Sequence, residues 1–317
     1  MLEHLATYRK WWYILSIVVI IPGVISLIFN GLDLGIDFTG GTIWEIRFDK
    51  TITTEEVKSV LAEHGYSDTV VQTSSENGGD NNVAIIRMAE LPTPSAEKTD
   101  LAQAMTDQIG PFTELQISTV GSSVSSQVAR RAILAVAVAS IGILAYIAFA
   151  FRNTQAPARY GAAAIIGMLH DVLVVLGIFS ILGVLFKVQV DALFVTAILT
   201  VIGFSVHDTI VVFDRIRENL AKQSDPTFEG IVNYSLAQTI VRSVNTSLTV
   251  VFTLLALFLF GGESTRTFVL ALLIGVVSGT YSSIFNASQL LVSWDQHDFQ
   301  RWWGQLRGRM PSAAPSR

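Results

Sequence analysis

Six unbroken apolar runs decide what this 317-residue chain can fold into: Tyr13–Phe29, Ala132–Phe151, Gly161–Phe186, Asp191–Phe213, Gln238–Phe260 and Phe268–Ser293. About 20 apolar residues wound as a helix cross a hydrocarbon layer about 30 Å thick. A helix also satisfies its own backbone groups where no water is present. The fold class predicted is therefore an α-helical integral membrane protein with six transmembrane helices. Composition agrees, since only 15% of the residues are charged, against about 25% in a soluble chain. A soluble enzyme, a disordered chain and a disulfide-stapled secreted fold are excluded. The absence of Cys removes thiol nucleophiles, iron–sulfur clusters and Cys-ligated zinc. No Gly-Lys-Ser/Thr phosphate loop, HExxH spacing or Gly-x-Ser-x-Gly elbow occurs, so neither an ATP site, a metal, a cofactor nor a covalent catalytic residue is expected.

Arg9 and Lys10 precede the first run as in a secretory signal, but no small-residue cleavage site follows, and the run reads as a retained anchor. Lys and Arg in the short loops then set the orientation. One side collects Arg9, Lys10, Arg152, Arg159, Arg215, Arg217, Lys222, Arg301, Arg307, Arg309 and Arg317, the other only Lys187 and Arg266. Arg130 and Arg131 stand against that pattern. Both termini are placed in the cytoplasm. The organisation expected is an N-terminus and first helix over 1–29, an inserted domain over 30–129, a five-helix bundle over 130–293 with a cytoplasmic loop at 214–237, and a cytoplasmic tail over 294–317.

The insertion differs in character from the rest. It holds 15 acids and 5 bases, whereas the remainder holds 11 acids and 16 bases. A surface of that sign does not bind nucleic acid, which needs a basic patch. Strands are expected at Thr42–Phe48, Asp68–Thr73, Val83–Met88 and Thr113–Val120. Helices are expected from Thr53-Thr54-Glu55-Glu56 to Glu63 and over Ser95–Ile109, with a hairpin turn at Asn77-Gly78-Gly79-Asp80. The order β-α-β-β-α-β is the ferredoxin-like plan, which supplies a fold and not a function.

Four glycines fall within Gly31–Thr42, a tight connector in which Asp33 and Asp37 are expected to cap turns. The run Gly35-Ile36-Asp37-Phe38-Thr39-Gly40-Gly41-Thr42, directly after the first span, and His207-Asp208-Thr209-Ile210-Val211-Val212-Phe213-Asp214-Arg215-Ile216-Arg217-Glu218-Asn219, at the end of the fourth, resemble the SecF family of bacterial protein export. His207 stands where that family usually has Asn. The resemblance spans essentially the whole chain and implies several expectations. One is an auxiliary subunit, of the resistance–nodulation–division superfamily, that uses the proton motive force in late preprotein translocation. Another is a multi-pass position in the bacterial inner membrane with the inserted domain outside the cytoplasm. The partners implied are SecD, the SecYEG channel, YidC as a further neighbour, membrane lipid and the translocating polypeptide. Gly35, Asp37, Phe38, Gly40 and Gly41 are its signature residues.

The only charges within the six runs are Asp171, Asp191, Asp208 and Arg242, and Asp191 lies at an edge. An Asp or Arg at the centre of a spanning helix costs about 2.5–3.5 kcal/mol on insertion scales, so each needs a partner, water or neutralisation. Asp208 and Arg242 lie at comparable depths on consecutive spans, which permits an ion pair. Such a pair either fixes helix register or forms a proton switch, and in the family this Asp and Arg are implicated in proton conduction. His207 is either a relay or a hydrogen-bonding group, and His170-Asp171 is either a buried brace or a second relay element. Gly275, Ser278, Gly279, Ser282 and Ser283 read as a small packing face, or else as a polar lining for water. A proton-driven half of a small-molecule or lipid exporter and a non-conducting translocon scaffold remain as alternative functions. The compact inserted domain argues against the exporter.

Overall fold

The computed structural model describes residues 5–74, 82–91, 95–152, 154, 156–298 and 300–301. The expected turn at 77–80 and the tail residues Arg307, Arg309 and Arg317 lie outside the described residues. The chain divides into two compact units, Leu34–Leu134 and Met1–Asp33 with Ala135–Arg317.

The smaller unit begins with one helical turn, α2 (Ile36–Thr39), after the first long helix, α1 (Arg9–Asn30). It continues as β1 (Gly41–Phe48), α3 (Thr54–Glu63), β2 (Val70–Ser74), β3 (Val83–Met88), α4 (Ala96–Gln108) and β4 (Phe112–Val120). The expected alternation of strands and helices is thus present, in a four-stranded sheet of order β2-β3-β1-β4. All three strand pairings are antiparallel, with Trp44 opposite both Ile86 and Ile117. Period-2 alternation in β1 sends Trp44, Ile46 and Phe48 inward against Val57 and Leu61 of α3 and Leu101 and Met105 of α4. The Thr53 hydroxyl accepts from the Glu56 backbone while the Glu56 carboxylate accepts from Thr53 N–H, a complete capping box. Gly40 and Gly41 have φ of 74° and 119°. A Cβ on Gly41 would stand 2.6 Å from the Met88 carbonyl oxygen, so this pair of glycines lets β1 enter the sheet beside β3.

The larger unit holds the rest of α5 (Ser122–Ala150), then α6 (Pro157–Phe186), α7 (Ala192–Ala221), α8 (Phe228–Phe260), α9 (Glu263–Ser282), a π-helical turn (Ser283–Ala287) and α10 (Ser288–Asp295). All six apolar runs lie in helices long and apolar enough to span a membrane, and the chain is a multi-pass membrane protein. The most buried spans are α6, α7 and α9 with its continuation. In contrast, α1, α5 and α8 turn Phe29, Ile141 and Phe252 outward, as lipid contact allows. Asp191 caps α7 by accepting from Phe194 N–H at 2.8 Å. Asp33 does not cap a local turn. Its carboxylate accepts from Gln189 at 3.1 Å and its carbonyl from Val190 N–H at 2.8 Å, which ties the end of α1 to the α6–α7 connector.

The expected loop at 214–237 shrinks to residues 222–227, because α7 runs on to Ala221 and α8 starts at Phe228. Ion pairs at helical spacing hold that extension: Arg217 to Asp214 at 2.5 Å, Arg215 to Glu218 at 2.7 Å and Lys222 to Glu218 at 2.6 Å. The second span likewise starts earlier than expected, at Ser122, within what reads from the sequence as the inserted domain.

Candidate functional site

Two carboxylates lie inside the helix bundle, one on each of two neighbouring central helices. Asp208 of α7 is 9% exposed. One of its oxygens accepts from Ser243 of α8 at 2.6 Å, and the other accepts from Ser283, the first residue of the π turn. Asp171 of α6 is fully buried. Its Oδ1 accepts from His170 Nδ1 at 3.0 Å and Ser278 at 2.7 Å, and its Oδ2 from Ser205 at 2.5 Å and Ser282 at 2.7 Å. Four donors fill the four lone-pair positions of an ionised carboxylate.

The spacing explains how so many hydroxyls converge. Ser278 and Ser282 are four residues apart and share a face of α9, while Ser205 and Asp208 are three apart on α7. Gly279 brings the α9 backbone against Ser205, where an added Cβ would lie 3.3 Å from its Cα. The small residues of the sixth span therefore pack helices closely and supply the polar groups at once. A hydrogen bond to a charged group contributes about 1.5–3 kcal/mol. Two donors on Asp208 thus offset an insertion cost of about 2.5–3.5 kcal/mol without a buried cation.

Arg242 is not that cation. Among the described residues it forms no ion pair with Asp208, and its side chain is exposed on α8. Ser243, the next residue, meets the carboxylate instead, because one step along an α-helix turns the side chain about 100°. His207 is exposed and makes no hydrogen bond among the described residues. His170 is buried, stacks on Tyr281 with ring centroids 5.9 Å apart, and has no partner for Nε2 among the described residues. Ser205 and Ser243 are the site residues that sequence reasoning missed. Their signal, serines one helical turn from or in the span facing an intramembrane acid, is visible only once helix neighbours are known. No group of three His, Asp or Glu side chains able to hold a metal occurs among the described residues, and Gly35, Asp37, Phe38, Gly40 and Gly41 lie in the other unit.

Together these features define a class: a polytopic helical membrane protein with one inserted sheet unit and acids buried among hydroxyls in its centre. Two family models match the chain, the SecD/SecF GG motif over residues 25–52 and the C-terminal region of the protein export membrane protein SecD/SecF over residues 101–297. The chain belongs to the SecD/SecF family of protein-export membrane proteins. It is 56% identical over 299 residues to the protein translocase subunit SecF of Thermobaculum terrenum, covering 93% of this chain and 94% of that one. It is 38% identical to the protein translocase subunit SecDF of Bacillus subtilis, covering 92% of this chain but 38% of that longer one. The crystal structure of SecDF from Thermus thermophilus, described as a translocon-associated membrane protein, matches with a TM-score of 0.78 at 30% identity. That match takes in 92% of this chain and 38% of the crystallised one. The chain therefore spans little more than a third of the SecDF proteins it resembles.

Proposed function

We propose that this chain is a SecF-type subunit that uses the proton motive force to promote late preprotein translocation, with Asp208 as its proton-binding group. The observation that carries the reading is a nearly buried carboxylate held by two serine hydroxyls, with no cation bonded to it among the described residues. An acid paired with a guanidinium is fixed as an anion, because protonation strands a buried positive charge. Hydroxyls both donate and accept, so Asp208 can take up and release a proton with only small rearrangements around it. One proton crossing 100 mV supplies about 2.3 kcal/mol, so each stroke is modest. ATP and cofactors play no part in this reading.

In this scheme the bundle lies in the bacterial inner membrane with both termini cytoplasmic. The sheet unit is a ferredoxin-like domain on the far side that draws or holds the translocating polypeptide. SecD is the pseudo-symmetric mate, SecYEG the channel and YidC a further neighbour. Arg242 then faces SecD across the outer face of α8 and reports the state of Asp208 to it.

Asp208→Asn tests the reading. Expected is a variant that inserts and assembles normally, yet loses the stimulation of preprotein export by an imposed proton gradient. Full stimulation in a correctly assembled Asp208→Asn complex would leave only the scaffold reading.

A further inference from the structure

Asp171 has more hydrogen-bond donors than Asp208 and no role in the scheme above. Beside it, His170 donates from Nδ1 to Asp171 Oδ1 at 3.0 Å, which leaves Nε2 as a buried nitrogen without a partner among the described residues. A buried polar atom left unpaired costs about 1–3 kcal/mol, so its presence asks for a reason. The imidazole also lines an apolar cleft of about 390 Å³ whose other walls include Leu15 and Ser16 of α1, Val174 of α6, and Val277 and Tyr281 of α9. A third feature joins the two acids. Ser282 donates to Asp171 and the adjacent Ser283 to Asp208, where α9 passes into the π turn. Each serine has a second acceptor within reach: the Gly279 carbonyl lies 3.2 Å from the Ser282 hydroxyl, and the Thr280 carbonyl 3.1 Å from that of Ser283.

We propose that His170 and Asp171 form a second proton-binding site, in which imidazole and carboxylate share one proton, with Ser282 donating to this acid and the adjacent Ser283 to Asp208. The proposal rests on the proton-coupled reading above and deepens it. Once water reaches Nε2, a hydronium gives it a proton, and the resulting imidazolium passes its Nδ1 proton to Asp171 Oδ1. One proton has been taken up, the carboxylate has become a neutral acid, and the imidazole is neutral with its hydrogen on Nε2. The new acid no longer needs four donors. With the hydrogen on Oδ1, that group donates back to His170 Nδ1, and Ser282, which meets Oδ2, can turn its hydrogen to the Gly279 carbonyl while Ser205 still donates to Oδ2. Ser282, the last residue of α9, thus meets one acid and Ser283, the first of the π turn, the other; π turns recur at functional sites in helices.

The groups facing this site are few. On the elements packed against α6 they are Tyr281 of α9, stacked on His170, and Asp208 of α7, bonded to Ser283 next to the Ser282 that bonds Asp171. Tyr13 of α1 bonds Ser293, and Arg9 of α1 is engaged by Asp298, Glu229 and Gln296. Asp295 ends α10, and Arg242 is exposed on α8. Among the described residues no Lys or Arg bonds either acid.

The test is an isotope-edited infrared titration of the carboxylic C=O stretch, on the full chain with its SecD-type partner in liposomes. Two acid bands are expected on acidification, one lost in Asp171→Asn and the other in Asp208→Asn, with the surviving band displaced in midpoint each time. Ser278→Ala, which keeps both acids, shifts the Asp171 band alone and serves if Asp171→Asn fails to assemble. After a pH jump, His170→Gln slows the rise of the Asp171 band by about 10²-fold, the scale of a lost proton-transfer group. A band that vanishes with Asp171→Asn supports the second site whether or not Asp208 titrates. A titrating band untouched by Asp171→Asn and Ser278→Ala makes Asp171 a structural brace and overturns the proposal while the Asp208 reading stands. No titrating band in any form overturns both.

Discussion

The hydroxyl cage around Asp171 makes a quantitative prediction through a double-mutant cycle of Ser205→Ala and Asp171→Leu. Ser205 donates to Oδ2 at 2.5 Å inside a fully buried site. Neutral side-chain hydrogen bonds between spanning helices average only about 0.6 kcal/mol in such cycles, with a ceiling near 1.7. A bond to an ionised acceptor contributes about 1.5–3 kcal/mol. The coupling energy expected at neutral pH is therefore about 2 kcal/mol. In the Asp171→Leu background, Ser205→Ala should cost almost nothing, because the Ser205 hydroxyl can turn back onto its own helix carbonyl. The measurement is reversible unfolding of the full chain in mixed micelles, repeated for the four members of the cycle. Isolating the pair term in this way matters, since Asp171→Leu alone also removes the cost of burying a charge, and its net effect has no fixed sign. A coupling at or below about 0.6 kcal/mol would mean that Ser205 does not serve a charged carboxylate, and the cage as described would be wrong.

Where α1 begins and α10 has ended, Arg9 is 9% exposed and bonds Asp298, itself 4% exposed, at 2.6 Å, along with Gln296 at 2.6 Å and the Ala6 carbonyl at 2.9 Å. Arg9→Met strands that buried carboxylate and should cost about 3–5 kcal/mol, read by unfolding, with partial recovery when Asp298→Leu is added. In the sheet unit, the Thr53 backbone N–H and then its hydroxyl hold the Glu56 carboxyl below its ordinary value of 4.5. A lowered folded-state value favours the ionised form, so this support of α3 is present above pH 4.5 and is lost as pH falls through the lowered value. The protection of α3 amides, taken relative to the intrinsic exchange rate at each pH, should therefore fall on acidification, and Glu56→Gln should remove that loss.

The spans were legible because hydrophobic length is a one-dimensional property, and the strands of the sheet unit because period-2 alternation and the Thr53–Glu56 capping spacing are local. The 214–237 loop was misread for a related reason. Hydropathy falls at Asp214, yet charged residues at three- and four-residue spacing keep α7 helical to Ala221. The candidate site was half legible. Cost alone singles out Asp171 and Asp208 in an apolar run, since few other charges occur there. Their partners were not accessible, because equal depth on consecutive spans says nothing about rotation about the helix axis. Arg242 and Ser243 are adjacent, and the structure turns the serine to Asp208. The simplest electrostatic expectation, opposite charges meeting, is not met: the rotation of α8 places Ser243 at Asp208 and leaves Arg242 exposed.

That substitution of hydroxyls for a cation changes what the bundle can do. An Asp–Arg pair stores its energy in one contact, and breaking it leaves a buried charge whose cost of about 3–5 kcal/mol exceeds what one proton gains from 100 mV, about 2.3 kcal/mol. A carboxylate among serines loses its charge on protonation and exposes no other, so the two protonation states can lie within the energy a single proton delivers. In the proposed scheme Arg242 belongs to the output side. It sits one residue from the Ser243 contact and faces out of the bundle. In bare lipid that exposure costs about 2.5–3.5 kcal/mol, which a partner's polar surface would relieve. In the proposed scheme a rotation of α8 that follows the state of Asp208 would sweep Arg242 across that surface, so that α8 would convert a change at a buried acid into a change at an interface.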